Sequence, residues 1–86
     1  MSPRLPKMCA GLDINETDDG LIVYQESTDR VHHLNQTAAV VFQLCDGSHE
    51  LEEIAESVGK LFDLSEPPAL EVEACLENLA REGLIV

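Results

Sequence analysis

The order of elements in this chain predicts an α+β domain, a three-stranded antiparallel sheet followed by three helices in a winged helix-turn-helix-like arrangement. Three observations carry that prediction. Residues 9–34 alternate apolar and polar positions between turn signals, the period-two pattern of half-buried strands. From Gln36 onward the apolar spacing changes to i, i+3, i+4, i+7, the stripe of an amphipathic helix. The connections are short, so consecutive strands must be antiparallel neighbours. The 86 residues suffice for one domain.

The expected first strand is Cys9 to Thr17, where Leu12 and Ile14 alternate with Asp13 and Asn15. Asp18-Asp19-Gly20 supplies a hairpin turn, since Asp-Gly between apolar alternations accepts the positive φ angles such turns need. Leu21 to Glu26 is a second, more apolar strand, expected in the centre of the sheet. Ser27-Thr28-Asp29 turns the chain into a third strand, Arg30 to Leu34. Asn35 then fits a helix N-cap, because its side-chain oxygen can accept from a free amide of the first turn. Gln36 to Cys45 is the first helix, with Thr37, Val40, Val41, Leu44 and Cys45 as its apolar stripe, and Asp46-Gly47 ends it.

Ser48 is the candidate cap of the second helix, whose stripe is Leu51, Ile54, Ala55, Val58, Leu61 and Phe62. Gly59 costs that helix about 1 kcal/mol relative to alanine. Asp63 to Pro68 reads as a loop with Ser65 as a possible cap. Ala69 to Glu82 is the third helix, with Val72, Leu76, Leu79 and Ala80 facing inward; Gly83 ends it, and Leu84-Ile85-Val86 is an apolar tail that must be buried. Residues 1–8, with Pro3 and Pro6, read as a flexible N-terminal segment, which leaves residues 9–86 as the domain.

Charge excludes several functions. Seventeen acidic residues face five basic ones, for a formal net charge of −12. Nucleic acid and anionic membranes both require clustered Lys and Arg, whereas Arg4, Lys7, Arg30, Lys60 and Arg81 are scattered singly. Neither is an expected partner, while a basic partner would be steered in. Cys9, Cys45 and Cys75 are odd in number and contain no CxxC pair, so no disulfide framework or zinc ribbon is indicated. A signal-peptide core and a membrane-length apolar run are both missing from the sequence, which suits a cytoplasmic location.

His32 and His33 are adjacent on a strand and point to opposite faces, so they cannot easily share one metal ion. Cys45 and Cys75 occupy apolar helix positions, where a thiol usually acts as a small hydrophobe. No nucleophile, base and oxyanion donor can be assembled, so an enzyme is not expected, and neither a cofactor nor a metal is.

The run VHHLNQTAAVVFQLCDG, Val31 to Gly47, resembles the signature of the PqqD-like family: a strand ending in Leu-Asn, then a Thr-Ala-Ala helix ending in Asp-Gly. Leu51 to Ala55 and Leu76 to Leu84 resemble that family's second and third helices, so the resemblance covers about residues 9–86. It implies a RiPP recognition element, a non-catalytic peptide chaperone of natural product biosynthesis. Such a module binds the leader segment of a ribosomally made precursor peptide by strand addition to its third strand. It presents that peptide to a modifying enzyme such as a radical SAM enzyme, a cyclase or a leader protease.

Carried onto this sequence, the implied peptide-binding residues are Asp29, Arg30, Val31, His32, His33 and Leu34 on the strand, and Val72, Cys75, Leu76 and Leu79 on the third helix. Alternation puts His32 and Leu34 on one strand face and Val31 and His33 on the other, and Leu34 is expected to face the helices. For Leu76, plain core packing is the stronger expectation. Two other readings use the same fold. A winged-helix transcription regulator would need basic residues that the last two helices lack beyond Lys60 and Arg81. A capping or dimerisation module would use the same sheet edge against another protein.

Overall fold

The computed structural model describes residues 5–86, so the first half of the expected N-terminal segment lies outside the described residues. The element order is β1 (Leu12–Thr17), β2 (Gly20–Gln25), β3 (Arg30–Asn35), α1 (Gln36–Gln43), α2 (Leu51–Leu61) and α3 (Ala69–Arg81). The three strands form one antiparallel sheet in the order β1-β2-β3. The α+β class, the three-plus-three order and the central position of the apolar second strand are all as the sequence predicts.

Register explains which sheet face the helices cover. Val23 pairs with His32 and Leu21 with Leu34. Leu21 and Val23 are buried and their partners half-buried, so this face lies on the helices. Gly20 is obligatory at the corner of the sheet: a Cβ there would sit 1.9 Å from the Leu34 carbonyl oxygen, at a φ of +152°. The core is aliphatic around one aromatic, with Val23, Val41, Phe42, Cys45, Ile54, Val72 and Leu84 all essentially inaccessible. Leu84 and Ile85 of the tail are buried, as an apolar C-terminus requires.

Several expectations are corrected. The first strand begins at Leu12, not Cys9, because Gly11 takes a φ of +77° and bends the chain before it. The first helix ends two residues early, at Gln43, and buries Ala39, Val41 and Phe42, with Thr37 exposed and Cys45 buried just beyond the helix. The sheet and both other helices surround α1, so its inward face is wider than a single stripe. Ser48 does not cap α2; its amide and hydroxyl both engage the Asp46 carboxylate, at 2.9 and 2.6 Å.

The actual cap of α2 is Glu50, in a reciprocal capping box with Glu53, whose Oε1 accepts from the Glu50 amide at 3.0 Å. Pro68, not Ser65, precedes α3, without a side-chain cap. Leu61 and Ala80 are exposed rather than inward. Gly59 is buried, and a Cβ there would meet Pro67 at 3.4 Å, so its helix cost is offset by the close approach of the α2–α3 loop.

The chain is also laced together ahead of β1. The amide of Met8 donates to the Cys45 carbonyl (2.8 Å), that of Cys9 to the Leu84 carbonyl (2.9 Å), and that of Val86 to the Lys7 carbonyl (2.8 Å). Residues 6–9 thus tie the α1–α2 loop to the end of the chain, in the last part of the segment expected to be flexible.

Candidate functional site: the groove between β3 and α3

The site is built at one edge of the sheet. β3 pairs with β2 on one side and with no other strand among the described residues, so its second side is a row of backbone donors and acceptors open to a ligand. Asn35 places it. It is the last residue of β3 and also the N-cap of α1, with Oδ1 accepting from the Ala38 amide at 2.9 Å. That one side chain fixes the angle at which strand becomes helix, and the start of α1 closes one end of the edge.

Beside the edge runs a groove of about 660 Å³, bounded by β3, the first turn of α1 and one face of α3. Val31, His32, His33 and Leu34 line it from the strand, Thr37 and Ala38 from α1, and Leu84 from the tail. From α3 come Glu71, Ala74, Cys75, Asn78, Leu79 and Glu82, the i, i+3, i+4, i+7, i+8, i+11 row of one helix face.

Of the sequence-predicted residues, Val31, His32, His33, Leu34, Cys75 and Leu79 come together here. Asp29 and Arg30 stand off the groove's lining. Asp29 sits in the β2–β3 turn at a φ of +55°, where its carboxylate accepts from the Tyr24 hydroxyl at 2.5 Å. That hydrogen bond, and the charge behind it, raise the Tyr24 pKa. Val72 and Leu76 are buried in the core, one step around α3 from the groove face. Leu79 serves both.

Sequence reasoning passed over Ala38, Glu71, Ala74, Asn78 and Glu82. The available signal was the row next to the core stripe of α3, where small and polar residues stand in for solvent-facing ones. The face of β3 left open by alternation alone is now defined. His32 and Leu34 turn toward the helices, and Val31 is 54% exposed on the outer face.

One end of the groove is polar and tightly organised. The Gln25 side-chain amide donates to the Gly83 carbonyl (3.2 Å), which leaves its Oε1 to accept. That oxygen meets the Thr28 hydroxyl at 3.0 Å and His32 Nε2 at 3.2 Å, so Nε2 carries the proton. His32 Nδ1 lies 3.8 Å from the Glu82 carboxylate, and Arg30 lies 3.6 Å from the same oxygen. The His32 side chain is only 11% exposed, whereas Glu82 and Arg30 remain open to solvent.

Burial governs two of the cysteines, Cys45 and Cys75. Burial, then Cys75, then Asp46 push the Cys45 thiol up to about 12, and its Sγ donates to the Val41 carbonyl at 3.1 Å. Burial also raises Cys75. Neither is a thiolate at neutral pH. Outside the groove, hydrogen bonds from Ser48, first from its hydroxyl and then its amide, and from His49 hold the Asp46 carboxyl at about 2. No group of three or more possible metal-ligating side chains occurs among the described residues, and no helix there is long and apolar enough to cross a membrane.

The family described as "Coenzyme PQQ synthesis protein D (PqqD)" matches residues 20–85, most of the chain. The chain belongs to the PqqD family. A curated relative of this PqqD-family chain, the "PqqA binding protein" of Methylococcus capsulatus, is 38% identical over 61 residues; the match covers 67% of this chain and 62% of that protein's length.

Two solved structures share the PqqD-family fold seen here. One is "Lasso peptide synthetase B1 complexed with the leader peptide", with a TM-score of 0.79, 18% identity, and coverage of 95% of this chain and 98% of that one. The other is "TbiB1 in Complex with the TbiA(beta) Leader Peptide", with a TM-score of 0.77, 18% identity, and coverage of 92% and 93%. At that identity the likeness is one of fold.

Proposed function

We propose that this protein is a recognition module that binds the leader segment of a ribosomally made precursor peptide along β3 and presents it to a modifying enzyme or leader protease. The observation that carries this reading is the unpaired edge of β3 lying directly beside an apolar-floored groove. An extended peptide can hydrogen-bond to the edge while alternate side chains enter the groove, the logic of β-augmentation. Membership of the PqqD family and the peptide partners named for its relatives support the same reading.

The energetics are adequate. Four or five main-chain hydrogen bonds at about 1 kcal/mol each, with two or three apolar anchors at ~1.5–3 kcal/mol each, gross about 10 kcal/mol. Ordering the peptide takes back ~2–5 kcal/mol, so a Kd of roughly 1–200 μM is expected. The module contributes no catalysis of its own. Chemistry on the peptide falls to the partner enzyme, for instance a radical SAM enzyme or a cyclase. Three free cysteines support a reducing, cytoplasmic setting.

The test is an NMR titration of labelled protein with the leader of a short precursor encoded nearby. Shifts concentrated in residues 30–35 and along the groove face of α3 are expected. Shifts absent from β3 would refute the strand-addition reading, and a dimer that ignores every peptide would favour protein capping at the same edge.

A further inference from the structure

The groove changes chemistry along its length, and that gradient specifies a ligand. Between Glu71 and Asn78, α3 presents its two smallest lining residues, Ala74 and Cys75, to the groove that Leu34 and Ala38 also line. Small side chains there leave room for a large apolar one. Toward the start of β3 the lining becomes polar, with His32 and then Glu82. The formally charged lining residues are Glu71 and Glu82, both acidic, on a protein of net charge −12.

Glu82 is placed without being saturated. Arg30 and His32 approach it at 3.6 and 3.8 Å, both beyond hydrogen-bonding distance, so it keeps its acceptor capacity. Arg30 is 67% exposed and can yield to solvent when another cation arrives. The Gln25 hydrogen bond holds His32 in place behind the carboxylate.

Two periodicities then set the spacing. Ala74 and Glu82 are eight residues apart on α3, about 12 Å at ~1.5 Å per residue. An extended strand covers that length in four residues, about 13 Å at ~3.3 Å per residue, and its side chains at i and i+4 point the same way. We propose that the groove selects an extended peptide with a large apolar side chain seated over Ala74 and Cys75 and a lysine or arginine four residues away, on the same face, against Glu82. This rests on the reading of the groove as a peptide site, and adds a basic residue at fixed spacing to what that site recognises.

The test is selection from a display library of short random peptides on the native protein, on Glu82→Gln, and on Ala74→Leu as the filled-groove reference. The native protein is expected to enrich peptides with Lys or Arg four residues from a large apolar residue over those with a spacing of three or five. A synthetic enriched peptide should bind the native protein about fivefold more tightly than its Lys→Gln version, the scale of a partly exposed ion pair, and the difference should vanish on Glu82→Gln. Apolar peptides enriched without any basic preference at that spacing would overturn this inference and leave the peptide-groove reading standing. No enrichment over the Ala74→Leu reference would overturn both.

Discussion

Replacing Ala74 with leucine tests the groove where it is most open. Ala74 is exposed, lies on the groove face of α3, and is no part of the core. Leucine is nearly as good a helix former as alanine, so the helix loses only about 0.2 kcal/mol and the fold should be unaffected. The added side chain fills the seat for an apolar ligand residue. Losing one such anchor removes ~1.5–3 kcal/mol of burial from binding, a rise in Kd of roughly 10- to 150-fold. Titration calorimetry with a bound leader peptide reads that change directly. Ala80→Leu is the matched control, an exposed alanine on α3 outside the groove. A Kd within about twofold of native for Ala74→Leu, or an equal loss for Ala80→Leu, would refute the assignment of this face as the seat.

Three further outcomes are expected. Val72→Ala removes two methyl groups from a fully buried site; it should cost about 2 kcal/mol and lower the thermal midpoint by roughly 10 °C, while calorimetry on the folded variant gives an unchanged Kd. The Asp46 carboxyl sits at about 2, below its ordinary 3.8. A depressed carboxylate contributes stability that is present above the ordinary value and lost as pH falls toward 2. Denaturation midpoints measured from pH 5 to pH 2 should therefore drop less for Asp46→Asn than for the native protein. Iodoacetamide at neutral pH should leave Cys45 unmodified in the native protein, because burial keeps it protonated at about 12; Cys75 should label slowly, and more slowly still with a peptide in the groove, as mass spectrometry of tryptic fragments would register.

Much of this fold is legible in the chain because local chemistry and tertiary packing agree. The alternation of Leu21 to Gln25, a tight hairpin after Thr17 and the dual character of Asn35 each specify one outcome, and each occurs, although the turn residues are Asp18 and Asp19 and Gly20 is already paired in β2. Sequence reading fails where two local partners compete. Ser48 is the better cap by residue type, but Asp46 takes the serine, which leaves Glu50 to begin α2.

The candidate site is half legible for a different reason. The strand residues follow from alternation, but the groove face of α3 is offset by one position from the core stripe. Periodicity identifies the core stripe through Val72, Leu76 and Leu79. It cannot show that Ala74 and Glu82 face a concave surface, because that depends on how far α3 stands from the edge of β3.

The lacing of residues 6–9 to Cys45 and Leu84 has a consequence for the order of assembly. The β2–β3 hairpin closes over a four-residue turn, from Gln25 to Arg30. The contact of Cys9 with Leu84 joins positions near opposite ends of the chain, and the length-dependent part of closing such a loop is about 4 kcal/mol. The lacing repays that entropy with only a few backbone hydrogen bonds, so it is expected to open before the sheet does. Amide hydrogens of Met8 and Cys9 should exchange faster than those of β2. A probe placed there reports the docking of the tail, whose Leu84 is also part of the groove's lining.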